Sequence, residues 1–160
     1  MPIIDLKDLR SHLPAKKRLV AIDHGTKTLG LAISDENLIV ATPLKTIKRK
    51  KFAKDMLEFA DVIQDFDIGA IILGLPLNMD GSEGPRCQSI RDFAKNILKR
   101  DDLFDGEPVI ALWDERLSTS AVQRFLIDEI DMSRAKRSEV VDKLAALHIL
   151  QGALERLANY

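Results

Sequence analysis

The chain has 160 residues, of which 46% are hydrophobic and 31% are charged, as is usual for a single globular domain. Its formal net charge of -1 gives it no strong basic excess, and no apolar run approaches the ~18 residues of a membrane span. The single cysteine, Cys87, excludes an internal disulfide and a cysteine-based zinc site, so we expect a cytoplasmic protein without membrane association.

The hydrophobic pattern predicts an α/β protein with a mixed five-stranded sheet flanked by helices. Residues 1–16 are predicted to be an N-terminal extension with a short helix at 6–12, and residues 17–160 a single domain. Short turns separate the first three strands, which predicts an antiparallel meander. The predicted strands are 17–23, 29–34, 38–45, 68–73 and 109–113, and the predicted helices are 50–66, 85–99, 119–129 and 138–157, with a polar, basic loop at 131–138.

Acidic residues occupy the ends of two of these strands and the start of the last helix. Asp23 closes the run RLVAID, Asp114 and Glu115 close the run VIALWDE, and Asp142 lies near the start of an alanine-rich segment. If the first and fifth strands are parallel, their acids emerge at the same edge of the sheet. Grouped carboxylates repel unless a cation lies between them, and Mg²⁺ and Mn²⁺ prefer oxygen ligands. The pattern therefore predicts metal-assisted phosphodiester chemistry.

Each acid also has a purely structural explanation. Asp23 could accept local hydrogen bonds in a hairpin turn, and Asp142 could be stabilised by the N-terminal dipole of its helix. Arg116 could complete a surface ion pair with the two acids that precede it. The residues alone leave these alternatives open.

A turn, a long loop and two basic runs carry candidate phosphate-binding groups. The turn DHGTK contains Gly25, which lets a phosphate approach the backbone, and Lys27, a cation. A long loop at 74–85 follows a buried strand, and loops of this kind are often functional. Asn78 in that loop and Arg86 beyond it can donate to phosphate. Two basic runs, 45–54 and 134–137, are either solvated surface or further phosphate contacts.

Four segments together resemble the YqgF (RuvX) family, a group of pre-16S rRNA nucleases and Holliday junction resolvase-like proteins. The matching segments, within residues 17–157, are AIDHGTKTLGLAISD at 21–35, GLPLNMDGSEGP at 74–85, DERLST at 114–119 and VVDKLAALHILQ at 140–151. The resemblance implies a ribonuclease H-like (RuvC-like) fold and a metal-dependent nuclease. The three acids of the family fall on Asp23, Glu115 and Asp142, with Asp114 as a further candidate metal ligand. His24 stands where the family usually has an aromatic residue.

The same resemblance implies a mechanism and a substrate. The three acids would hold two Mg²⁺ or Mn²⁺ ions, and Lys27, Asn78, Arg86 and Arg116 would bind the nucleic acid. The expected reaction is 5′-end processing of structured precursor 16S rRNA. The alternative is resolution of branched DNA, namely Holliday junctions, which requires a dimer. The sequence is compatible with a monomer or a homodimer.

Two readings from other classes compete with a nuclease. An Asp-x-Gly-Thr pattern, present at 23–26, also occurs in actin-like and sugar-kinase ATPases, but those proteins need two such domains and a second phosphate loop. A non-catalytic nucleic-acid-binding module would have no use for clustered acids, which repel one another when unpaired. Both readings are less consistent with the sequence than the nuclease.

Overall fold

The computed structural model of the chain describes residues 3–104, 108–117 and 134–160. The described strands are β1 (Ile3–Ile4), β2 (Arg18–His24), β3 (Thr28–Ser34), β4 (Ala41–Lys48), β5 (Ile68–Leu75) and β6 (Ile110–Asp114). The described helices are α1 (Leu9–His12), α2 (Phe52–Asp65), α3 (Pro85–Leu98) and α4 (Arg134–Ala158), with 3₁₀ turns at Leu6–Asp8, Asp101–Leu103 and Glu115–Leu117.

These strands form one mixed sheet in the order β1-β6-β5-β2-β3-β4. The predicted antiparallel meander is present as β2, β3 and β4, while β2, β5, β6 and β1 run parallel. The prediction of five strands was wrong by one, because it missed β1. Ile3 and Ile4 pair with Ile110 and Ala111 of β6. Two residues are too few to produce a periodic hydrophobic pattern, so no sequence signal marks this edge strand.

Helices cover both faces of the sheet, which explains why β2 is a continuous apolar run. Val20 and Ile22 are fully buried in a cluster with residues of α2 and α3. Leu19 and Ala21 alternate with them and are buried in a second cluster, against α4. Successive side chains of a strand point to opposite faces. Odd-numbered positions of β2 therefore face α4, and even-numbered positions face α2 and α3.

The last helix is longer than the sequence predicted. α4 begins at Arg134, so the predicted loop at 131–138 is wrong from residue 134 onward. Residues 134–137 are all good helix formers, and their polar composition, which suggested a loop, is equally that of a polar helical turn. The predicted helix at 119–129 lies outside the described residues.

The N-terminal residues contribute to the core although they were predicted to be an extension. Leu6 and Leu9 are buried in the cluster that packs against α4. The predicted short helix is present as the turn Leu6–Asp8 followed by α1. Within the described part of the chain, no helix combines the length and the apolarity needed to cross a membrane.

Candidate active site

Asp23 and Glu115 lie at the same edge of the sheet. Asp23 is the penultimate residue of β2, and Glu115 directly follows β6. β5 lies between these two strands, and all three are parallel. The carboxyl ends of parallel strands meet at one edge of a sheet. The structure therefore brings together Asp23, at the end of the first predicted strand, and Glu115, which follows the last predicted strand.

Gly74 of β5 makes room for this approach. A Cβ atom at this position would lie 2.5 Å from Glu115 Oε1 and 2.5 Å from Ile149 Cδ1 of α4, distances that real Cβ atoms do not adopt. Glycine is thus required here so that the Glu115 carboxyl can lie over β5, on the side of β2. The sequence analysis took Gly74 as the start of a loop and missed this role, although a glycine at the end of a buried strand signals close approach of other atoms.

The Glu115 carboxyl is electrostatically strained. Burial is the largest cause and the negative charge of Asp23 is the second, and together they raise the pKa of Glu115 to about 7. Arg86 opposes this increase, and Asp114 adds to it. A raised carboxyl pKa means that the ionised form is disfavoured. A cation bound between these carboxylates would relieve both the repulsion and the loss of hydration.

Asp114, the further candidate ligand, is held by Arg116 and faces away from Glu115. Its carboxylate accepts hydrogen bonds from Arg116 Nε at 3.0 Å and Arg116 Nη2 at 2.7 Å, and this pairing lowers the pKa of Asp114. Consecutive residues at a strand end point to opposite faces. Asp114 borders a groove with Leu75 and Leu112 on the other side of the sheet. The structure therefore does not bring Asp114 toward Asp23.

Arg116 also connects this strand end to the loop at 76–84. Its Nη1 donates to the carbonyl oxygen of Met79 at 3.3 Å. Within the loop, Asn78 Nδ2 donates to Ser82 Oγ at 3.0 Å, and Gly81 has a φ of 89°, which favours glycine. These contacts shape the loop beside the acids. Arg116, predicted to bind nucleic acid, is placed here as a support for the loop, while Asn78 is exposed and close to the site.

Arg86 and His24 lie beside the acids, at the end of β2. Arg86 Nη2 donates to the carbonyl oxygen of His24 at 3.1 Å, which positions the guanidinium next to the strand end. The His24 ring packs on Phe93 of α3 with a centroid distance of 4.7 Å, so this histidine fills the place of an aromatic residue. Burial, then the charges of Arg49 and Arg86, lower its pKa to about 4, so it is neutral near pH 7. Lys27 is exposed in the turn after β2.

Arg49 is a site-proximal residue that the sequence analysis did not single out. Its Nη1 donates to the carbonyl oxygen of Gly25 at 2.7 Å, and its backbone N–H donates to the carbonyl oxygen of Lys27 at 2.9 Å. These bonds hold the turn between β2 and β3. The available signal was the basic run at 45–54, which identifies no single member as the one that contacts the turn.

Asp142 lies in α4, in the segment whose side chains are outside the described residues. Its backbone position precedes Ile149 by seven residues, which is two helical turns or about 10.5 Å, so the two positions share one helix face. Ile149 packs over Gly74 and beside Glu115. Among the side chains that the structure describes, no three acidic, histidine or cysteine residues form a metal-binding group. Asp23 and Glu115 offer two carboxylate groups, and these fit a Mg²⁺ or Mn²⁺ ion in chemistry and charge.

The fold and this edge define an α/β protein with a carboxylate site at the ends of parallel strands, in a mixed sheet covered by helices. The chain belongs to the RuvX family, because the model of that family, described as a Holliday junction resolvase, matches residues 17–156. The predicted family is thereby confirmed. The predicted α/β fold with a mixed sheet and flanking helices is also confirmed, with six strands instead of five.

Several relatives share about half of their residues with this chain over almost its whole length, and each is named as a candidate pre-16S rRNA nuclease. The protein of Rhodospirillum centenum is 55% identical over 98% of this chain and 83% of its own length. The protein of Methylocella silvestris is 52% identical over 97% of this chain and 92% of its own length. The protein of Phenylobacterium zucineum is 49% identical over 99% of both chains.

Two Holliday junction resolvases are among the solved structures that align with most of this chain. RuvC of T. thermophilus, in complex with a Holliday junction substrate, matches 88% of this chain and 96% of its own with a TM-score of 0.49 and 12% identity. The yeast mitochondrial Holliday junction resolvase Ydc2 matches 97% of this chain and 86% of its own with a TM-score of 0.49 and 11% identity.

Proposed function

We propose that this protein is a metal-dependent nuclease that hydrolyses phosphodiester bonds, and that it acts in 5′-end processing of precursor 16S rRNA. The observation that carries the proposal is that Asp23 acts on the Glu115 carboxyl, which lies over Gly74, at the carboxyl edge of the sheet. Family membership and the names of the relatives support both the reaction and the RNA substrate. Such a role would place the protein in the cytoplasm.

Asp23, Glu115 and Asp142 would hold Mg²⁺ or Mn²⁺ in this proposal. The metal would supply an activated water and charge stabilisation for the leaving oxygen of the phosphodiester. The chain itself holds the carboxylates in place before substrate arrives. Gly74 does this by leaving space for Glu115, and the sheet edge fixes the strand ends that carry the two described acids.

Binding and orientation of the nucleic acid would fall to cations and donors around the acids. Arg86 is the best-placed group, since its charge acts on Glu115 while its guanidinium is held by the backbone of β2. Lys27 and Asn78 are exposed on the flanking turn and loop, where a phosphate backbone would pass. Phosphate contacts fix the register of a strand, and electrostatic stabilisation by positioned groups supplies much of the rate.

A four-way DNA junction is the second candidate substrate, favoured by the description of the matching family. Paired cuts in a junction need two active sites related by symmetry and hence a dimer. The RNA and DNA substrates make different demands on the oligomeric state, so they can be separated experimentally.

The test is cleavage by wild type and Asp23→Asn with Mg²⁺, Mn²⁺ or EDTA. The substrates are a precursor 16S rRNA 5′ leader and a mobile four-way junction, and Asp61→Asn, an exposed site on α2, is the matched control. Metal-dependent cleavage of the leader by wild type and Asp61→Asn, but not by Asp23→Asn, is the expected result. Paired cuts in the junction alone would favour the DNA substrate. Full cleavage by folded Asp23→Asn would overturn the assignment of the site.

A further inference from the structure

A cleft of about 400 Å³ lies beside the acids, on the face of the sheet opposite to α4. It opens between the turn after β2, the end of β4 and the exposed face of α3. Its lining includes Arg49 and Arg86, the rings of His24 and Phe52, and the amide of Asn96. This size lies within the range of ordinary small-ligand sites, so it is sufficient for one nucleotide. The sequence analysis and the proposed mechanism leave this cleft without an occupant.

The two arginines of the cleft are anchored to consecutive carbonyl groups. Arg49 Nη1 donates to the carbonyl oxygen of Gly25 at 2.7 Å, and Arg86 Nη2 donates to that of His24 at 3.1 Å. A guanidinium carries five N–H donors in a planar fork that matches phosphate, so one carbonyl bond does not exhaust it. Asp92, an acid that also lines the cleft, accepts a hydrogen bond from Gln88 at 2.9 Å. The cleft thus offers two held cations to a phosphate backbone.

One wall of the cleft is aromatic. His24 packs on Phe93, and Phe52 meets the same ring edge-on at a centroid distance of 6.0 Å. Phe52 is only half-buried, so part of its ring faces the cleft. Aromatic surfaces next to cations are how proteins bind unpaired bases, because every base has a face that stacks. Asn96 on α3 adds an amide that can bond to the edge of a base.

We propose that this cleft holds one unpaired nucleotide of the substrate strand, next to the phosphodiester that is cut. The proposal rests on the proposed nuclease function and adds to it a requirement for an unpaired nucleotide. Arg86 acts on Glu115 on one side and lines the cleft on the other, so a strand that crosses the acids continues past Arg86 into the cleft. A base in a duplex remains stacked between its neighbours and cannot reach the Phe52 ring.

The test is binding of a short fluorescein-labelled single-stranded RNA in EDTA, where no cleavage occurs. A set of strands carries one abasic nucleotide at each position in turn. Wild type should lose about fivefold or more in affinity at one position, and Phe52→Leu should lose a similar amount on the intact strand and become insensitive to that position. Asn96→Ala, a change at an exposed site that does not threaten folding, should weaken the intact strand but not that abasic strand.

Arg49→Ala should weaken all these strands and reduce the slope of log affinity against log salt by about one, as expected for one lost phosphate contact. Lys99→Ala is the charge-matched control. It removes a cation that lies about 20 Å from Arg86 along α3, at the opposite end of the helix, and should leave affinity and slope unchanged. Annealing the complementary strand should abolish the dependence on Phe52.

Equal affinity of wild type for every abasic strand, or unchanged binding by Phe52→Leu and Asn96→Ala, would overturn the cleft proposal. Its failure is distinguishable from failure of the nuclease function. Binding with the predicted pattern by a protein that cleaves nothing in Mg²⁺ would retain the cleft and reject the nuclease. Asp23-dependent cleavage without any such pattern would retain the nuclease and reject the cleft.

Discussion

Replacing Glu115 by glutamine is expected to stabilise the metal-free protein and to abolish cleavage. Burial and the charge of Asp23 raise the pKa of Glu115 from 4.5 to about 7, so at higher pH the folded protein carries a carboxylate that is disfavoured where it lies. One pKa unit corresponds to about 1.4 kcal/mol, so the ionised Glu115 destabilises the folded protein by at most about 3 kcal/mol. The side chain is partly exposed, and solvent screening reduces the expected gain to about 1–2 kcal/mol.

The size of this stability difference changes with pH in a defined way. At a pH below 4.5, Glu115 is protonated in the folded and unfolded states, and the substitution has no electrostatic effect. Between 4.5 and about 7, the unfolded chain releases its proton while the folded protein keeps it, so wild-type stability decreases as pH rises. Above about 7 the full penalty is present. The advantage of the glutamine variant should therefore grow across this window and then stay constant.

Urea unfolding in EDTA, at about pH 5 and about pH 8, measures this difference. Glu155→Gln on the exposed side of α4 is the matched control and should change the free energy of unfolding by no more than about 0.5 kcal/mol at either pH. Mg²⁺ should narrow the gap, because a ligand that binds only the folded wild type stabilises it. A folded Glu115→Gln protein that is no more stable than wild type at about pH 8 would refute the electrostatic reasoning.

Further predictions concern the support of the site. Gly74→Ala should cost about 1–3 kcal/mol of stability and most of the activity, while Gly84→Ala, where a Cβ meets nothing nearer than 4.0 Å, should be neutral in urea unfolding. The pKa of His24 is lowered to about 4, so its stabilising contribution is present above the ordinary 6.5 and is lost as pH falls toward 4. Thermal melts should accordingly show that, at about pH 5, His24→Phe retains stability that wild type loses. Arg116→Lys keeps the charge but loses the forked contacts, so limited proteolysis should cut the loop around Met79 faster than in wild type.

The sheet could be predicted from the sequence where its strands are long and apolar. β2, β3 and β5 are buried on both faces and leave continuous hydrophobic runs, which pattern and turn chemistry identify. β1 could not be predicted, because its two residues gain their strand geometry only from pairing with β6. The start of α4 was missed for a related reason, since a polar helical turn has the composition of a loop.

The candidate site could be predicted as a set of acids but not as a geometry. The ends of two parallel strands explain why Asp23 and Glu115 meet, and that inference needs only strand order. Asp114 and Glu115 lie on different faces because side chains alternate at the end of β6. A shift of one residue in the predicted strand would exchange the faces assigned to the two acids. The role of Arg49 depends on the path of β4 beside the turn, which local sequence does not encode.

Side-chain alternation at the end of β2 also explains how one strand serves two surfaces. Asp23 occupies an odd position and faces α4 with the other acid, whereas His24 occupies an even position and packs on α3 beside the cationic cleft. The acid site and the cationic cleft therefore lie on opposite faces of the same strand end, and the residues that belong to them are adjacent in sequence. Arg86 joins them, because it bonds to the His24 carbonyl and acts on Glu115. A substrate strand that lies along this edge would contact the acid site and the cleft at the same time. Binding at both would then require no rearrangement of the protein.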